Sequence, residues 1–191
     1  MSGLDGKNIL VGVTGSVAAY KACELVSRLM DNQIQPKVVL TSSARKFITP
    51  LSFEALTGEP AVTSMWKRTK TYRATVHISL AQSVSCAVIA PATANIIGKY
   101  RNGICDDILS CILCAFDKPV IMAPAMNDVM LNSPAVRENI AVLKERGVIF
   151  VDPDEGKLAC GTSGKGRMAG IPTIIQTVQR VLEQNISNPS R

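Results

Sequence analysis

The sequence predicts an α/β fold in which one parallel sheet is covered on both faces by helices. Short continuous apolar runs recur along the chain, as strands buried on both faces require. Longer stretches with Ala and Leu at helical spacing lie between them. No Pro/Gly/Ser-rich linker interrupts the alternation, so residues 1–191 read as one domain, with residues 1–6 and 184–191 expected to fray.

Residues 8–13 (NILVGV) form the first expected strand, followed by Thr14, Gly15 and Ser16 and then a helix over 17–30. Residues 37–40 (KVVL) give the second strand, closed by Thr41, Ser42 and Ser43. Pro50 sits in the first turn of a short helix over 50–57 that ends at Gly58. The third strand, 86–90 (CAVIA), is expected to stop at Pro91, and the fourth, 120–123 (VIMA), at Pro124. Residues 106–116 and 134–146 read as helices, 148–151 (VIFV) as the last strand, and 172–183 as the closing helix. Ligands of such sheets bind beyond the carboxyl ends of the strands, at a switch in strand order. The strand ends here supply hydroxyls, amides and prolines (Thr14 to Ser16, Thr41 to Ser43, Pro91 to Asn95, Pro124 to Asn127) and no carboxylate. That set suits a phosphate and a polar ligand held by neutral donors.

Composition narrows the partners. Hydrophobic residues make up 47% of the 191, enough for a sizeable core. No apolar run reaches the roughly 18 residues of a membrane span, and no signal-peptide pattern opens the chain, so a cytoplasmic protein without membrane attachment is expected. The formal charge of +6 makes nucleic acid the first partner to weigh. The cations are dispersed and aromatics are only 4%, too few for a base-stacking platform, so no nucleic acid partner is expected. The one basic cluster, Lys67, Arg68, Lys70 and Arg73, reads as solvated surface able to attract a phosphorylated small molecule. Most of the six cysteines lie in apolar runs and read as small hydrophobes of a reducing compartment. The pair Cys111 and Cys114 lacks a second ligand pair and the chain has one histidine, so no metal site is expected.

Four places carry candidate chemistry. In the loop GVTGSVAAYK, Gly15 permits close approach of the backbone, and Ser16 can cap a helix while donating to a phosphate. His77, the sole histidine, is the one imidazole able to act near neutral pH, although a histidine among apolar residues is more often structural. Asn127 in APAMN suits a turn or a polar contact. Cys160 lies in a Gly-rich stretch, 152–170, of functional-loop length, where Lys157, Lys165 and Arg167 would depress its pKa.

Six ordered blocks, spread from Lys7 to about Leu182, carry a resemblance. They are GVTGSVAAYK at 12–21, FITPLSF at 47–53, HISL at 77–80, APATAN at 90–95, APAMNDVM at 123–130 and ACGTSGKGRM at 159–168. In these the chain resembles the homo-oligomeric flavin-containing cysteine decarboxylases. The resemblance implies a flavodoxin-like three-layer sandwich binding FMN at a subunit interface of a homotrimer, or of a dodecamer built from trimers. It implies that Gly15, Ser16 and Val17 serve the FMN phosphate end. Thr41, Ser43, Thr93, Ala94 and Asn95 would line the ribityl chain or phosphate, and Phe53 and Ala125 would approach the flavin. His77 would be catalytic, Asn127 would bind the substrate carboxylate beside Met130, and Cys160 would donate the proton of a final reduction. Within the family, PAMN and Cys160 favour members acting on 4′-phosphopantothenoylcysteine in coenzyme A formation, working with a separate or fused synthetase. The alternative branch decarboxylates carboxy-terminal cysteines of lantibiotic-type peptides. Leu131 stands where the family usually has Trp. A flavodoxin-type electron carrier and a non-catalytic flavin-binding regulator are the readings from other classes, and neither fits as well.

Overall fold

The computed structural model describes residues 6–66, 75–157, 161 and 163–187. Its first strand, β1 (Asn8–Val13), alternates its apolar run between two layers, with Ile9, Val11 and Val13 on one side and Leu10 on the other. A 3-10 turn, Val17–Tyr20, leads into α1 (Lys21–Asp31), which buries Ala22, Leu25, Val26 and Leu29. Then come β2 (Gln35–Leu40), α2 (Pro50–Thr57), α3 (Val76–Ser83) and β3 (Ala87–Ala92). Helices α4 (Ala94–Asn102) and α5 (Ile108–Cys114) precede β4 (Val120–Pro124). The chain continues through α6 (Asp128–Asn132), α7 (Pro134–Glu145) and β5 (Ile149–Phe150). A hairpin of β6 (Asp154–Lys157) and β7 (Ser163–Arg167) precedes α8 (Ile171–Ser187).

Strands β2-β1-β3-β4-β5 pair in that order and all in parallel, the flavodoxin-like arrangement. One face of the sheet is covered by α1, by Phe53 of α2 and by Ile174, Val178 and Val181 of α8. The opposite face packs on Leu80 of α3, Ile97 of α4, Leu109 and Ile112 of α5, and Leu143 of α7. The three layers are thus those expected, and among the described residues no helix is long and apolar enough to cross a membrane.

Several local expectations are corrected. The expected helix over 17–30 is split, because Ser16 caps a tighter turn before α1 begins. Strand β3 runs through Pro91 to Ala92, and β4 includes Pro124. Proline is tolerated there because the ladder shifts register between Ile89 and Ala92, where no proline N–H is needed. The Gly-rich stretch after Asp152 is the antiparallel β6–β7 hairpin rather than an open loop. Helix α8 continues to Ser187, four residues past its expected end at Glu183. Among the described cysteines only Cys86 is fully buried: Cys105 and Cys114 are exposed, and Cys23 and Cys111 are half-buried. Burial pushes the Cys86 thiol up to about 12.

Candidate functional site

The strand order reverses between β1 and β3, so the loops after these strands flank a crevice. Thr14 stitches its floor. The buried Thr14 hydroxyl donates to the Pro91 carbonyl at 2.7 Å, and its oxygen accepts from the Thr93 N–H at 3.2 Å. Thr41, at the end of β2, receives the Ala44 N–H on its hydroxyl oxygen at 3.2 Å, which turns the chain and turns Ser42 and Ser43 outward. Gly15 has a packing role that the sequence did not disclose: a Cβ there would overlap the Ser43 side chain. The missing side chain therefore lets the first two loops close on each other.

Together these loops line a cavity of about 490 Å³ with Thr14, Gly15, Ser16, Thr41 and Ser43 on one side and Thr93, Ala94 and Asn95 on the other. Its wall also carries a charged pair that the strand-end pattern missed. The Lys99 ammonium lies 2.7 Å from Asp106 and 2.9 Å from Asp107, and Lys99 and Asp107 both line the cavity. Partial desolvation would depress the Lys99 ammonium, but its hydrogen bonds to both carboxylates outweigh that and raise it. The Lys99 hydrogen bond in turn holds the Asp106 carboxyl below the usual range. Asp107 is fixed by a reciprocal capping box with Ser110 at the start of α5.

A second cavity, of about 470 Å³, adjoins the first and shares Ser16, Ala125 and Met126 with it. Its other walls are Val17, Ala18, Tyr20 and Lys21 from the α1 entry, Asn127, and the hairpin residues Lys157, Gly166 and Arg167. The Asn127 side-chain oxygen accepts the Val129 N–H at 2.8 Å and caps α6, which fixes the amide plane. The hairpin docks through the Met126 N–H, which donates to the Gly166 carbonyl at 3.1 Å. A Cβ on Gly166 would overlap the Met126 carbonyl, so only glycine allows this approach.

The structure therefore brings Gly15, Ser16, Thr41, Ser43, Thr93, Ala94, Asn95, Ala125 and Met130 to the first cavity, and Val17, Asn127 and again Ser16 and Ala125 to the second. Val17 thus faces the second cavity rather than the first, and Met130 the first rather than the second. Phe53 lines neither; it is fully buried in the core beneath α2. His77 also lines neither cavity of its own chain. It lies on α3, which packs on α5, and its buried Nδ1 has no hydrogen-bond partner among the described residues. Cys160, Lys67, Arg68, Lys70 and Arg73 lie outside the described residues.

A 2-1-3-4-5 parallel sheet, with a hydroxyl-lined cavity at its switch point and a second cavity sharing one wall, defines a flavodoxin-like ligand-binding protein. The chain belongs to the Flavoprotein family, whose model matches residues 2–183. It is 41% identical over 186 residues to the coenzyme A biosynthesis bifunctional protein CoaBC of Bacillus subtilis, covering 97% of this chain and 46% of that protein. The CoaBC of Escherichia coli K12 is also 41% identical, over 90% of this chain and 42% of its own length. The chain thus spans just under half the length of these curated relatives. Among solved structures, a PPC decarboxylase mutant complexed with pantothenoylaminoethenethiol superposes with a TM-score of 0.82 at 32% identity, covering 93% of this chain and 98% of that one. The FMN-dependent cysteine decarboxylase SpaF gives a TM-score of 0.82 at 29% identity, over 96% and 99%.

Proposed function

We propose that the chain is an FMN-dependent decarboxylase that converts 4′-phosphopantothenoylcysteine to 4′-phosphopantetheine. The observation that carries this reading is the pair of cavities with one shared wall: a ligand in one abuts a ligand in the other across Ser16, Ala125 and Met126. The donor set of the first cavity fits FMN. Hydroxyls of Ser16, Thr41, Ser43 and Thr93 and the amide of Asn95 can meet a phosphate and a polyol, and Gly15 brings two of the donor loops together. When bound, FMN supplies hydride acceptance from the thiol-bearing carbon, which creates an electron sink beside a carboxylate that otherwise has none.

The chain's own residues orient and enclose. Asn127, its amide plane locked by the α6 cap, presents a neutral polar group to the substrate carboxylate. A neutral partner suits a group that must leave as CO2, since a cation would stabilise the ground-state carboxylate. The β6–β7 hairpin walls the second cavity through Lys157, Gly166 and Arg167, and Cys160, between its two strands in the sequence, donates the proton of the final reduction. His77 lies off both cavities of its own chain, so this reading takes it from a second copy in a homo-oligomer, and we propose a trimer. The curated relatives are bifunctional and this chain matches 46% of one of them, which supports assigning it the decarboxylase half.

Product mass after incubation with 4′-phosphopantothenoylcysteine tests the reading. Loss of CO2 alone supports it in full. Loss of CO2 and two hydrogens keeps the decarboxylase but removes the final reduction and the role of Cys160. An unchanged mass from FMN-loaded protein overturns it.

A further inference from the structure

We infer that Lys21, Lys157 and Arg167 form an anion-recognising end of the second cavity that selects the phosphorylated form of the substrate. The inference rests on the decarboxylase reading above and goes beyond it by naming the residues that set specificity.

The three cations come from two separate elements, the start of α1 and the β6–β7 hairpin, yet they line one cavity. The rest of that lining is apolar or neutral and contains no carboxylate. None of the three forms an ion pair among the described residues; every such pair involves other side chains. Asp154 is the register partner of Arg167 in the hairpin, but it too forms no ion pair with it. Lys21 is half-buried on the cavity wall, its aliphatic stem packed against the site. Three like charges facing one concave surface repel one another, and a dianionic ligand relieves that cost.

The hairpin is also shaped around the guanidinium. A Cβ on Gly156 would stand 2.6 Å from Arg167 Nη1 and 3.0 Å from its Cδ, so the arginine lies flat across the opposite strand because residue 156 has no side chain. A planar guanidinium lying over Gly156, with two lysines on the walls of the same cavity, suits a phosphate monoester of charge about −1.5 to −2. The cavity then divides its labour: Asn127 meets the carboxylate without charge, and the cations meet the phosphate. A peptide ending in cysteine brings no dianion to that end. The cations thus favour the pantothenoyl branch over the peptide branch on grounds independent of the PAMN block.

The test compares binding of 4′-phosphopantetheine and pantetheine to the FMN-loaded protein by calorimetry, for the wild type, Lys21→Gln and the double variant Lys157→Gln/Arg167→Gln. Both hairpin positions are exposed, so the fold tolerates their neutralisation. Each charge-assisted hydrogen bond lost should lower the preference for the phosphorylated ligand by roughly tenfold to a hundredfold. An unchanged preference in both variants overturns the inference. So does loss of FMN from the variants with the preference intact, which would place the cations on the cofactor phosphate instead. Turnover of 4′-phosphopantothenoylcysteine is read in parallel. A wild type that binds the phosphorylated ligand selectively but releases no CO2 sinks the decarboxylase reading and leaves the anion site standing.

Discussion

At the scale of single residues, the site depends on small groups whose value lies in contact. Thr14 spends its hydroxyl on the Pro91 carbonyl and the Thr93 N–H, so it ties the loops after β1 and β3 together and leaves Ser16 and Ser43 on the cavity wall. Gly15 is the complementary case. In a Gly15→Ala variant the new Cβ meets Ser43, and one of the two donor loops must retreat. We expect FMN affinity to fall about tenfold or more, the equivalent of about 1.4 kcal/mol. Overpacking at the loop should also cost about 1–3 kcal/mol of stability. Flavin-fluorescence titration checks the first and urea unfolding the second; affinity equal to wild type would show that the loop approach does not shape the cavity. Most of this site was legible in the sequence because a parallel sheet exposes its strand ends, and hydroxyls after apolar runs announce themselves. Phe53 was misplaced because its block, FITPLSF, identifies a helix next to the site without saying which side chain faces inward. Lys99 and Asp107 were missed because each is unremarkable alone, and only the packing of α4 against α5 brings them to the cavity.

At the scale of elements, the sheet was readable and its decorations were not. β1, β2 and β4 are written in Val, Ile and Leu, whose continuous runs leave little choice. The hairpin segments DEGK and SGKGR contain no β-branched or aromatic residue, so propensity gave no signal. They pair because glycines allow docking on the Met126 carbonyl and around Arg167. Helix α3 was also unread, since in VHISLAQS only Val76, Leu80 and Ala81 are buried. That helix is instead held from outside. The Lys118 ammonium donates to the carbonyls of Ala81, Gln82 and Val84 at 3.1, 2.8 and 2.7 Å, capping the negative end of α3 with a charge. Removing it in Lys118→Met leaves those carbonyls to water. Because the lysine is half-buried, we expect about 1–2 kcal/mol of lost stability in urea unfolding. FMN content should be retained, because Lys118 lines neither cavity. An unshifted midpoint would mean that α3 is held by its apolar contacts alone.

At the scale of the whole molecule, one chain holds the two adjoining cavities of the site and a histidine that lines neither of them. In a closed ring of identical copies, a residue remote from its own site can complete the next one. The exposed apolar side chains near the cavity mouths, Val17, Val129 and Met130, are surfaces such a ring would cover. The arrangement makes a prediction that no single-chain site shares. His77→Asn and Asn127→Asp should each be inactive alone while retaining FMN. Co-expressed in equal amounts, they should regain activity, because a site that draws His77 from one copy and Asn127 from another is intact whenever each donor carries only the other's lesion. Random assembly makes about a quarter of the sites intact. Steady-state turnover of the mixed population, set against native mass, reads the result directly. Recovery near that fraction places His77 across an interface. No recovery from well-folded mixed oligomers would put His77 and Asn127 to work within one chain, and α3 would then have to move to bring the imidazole to its own cavity.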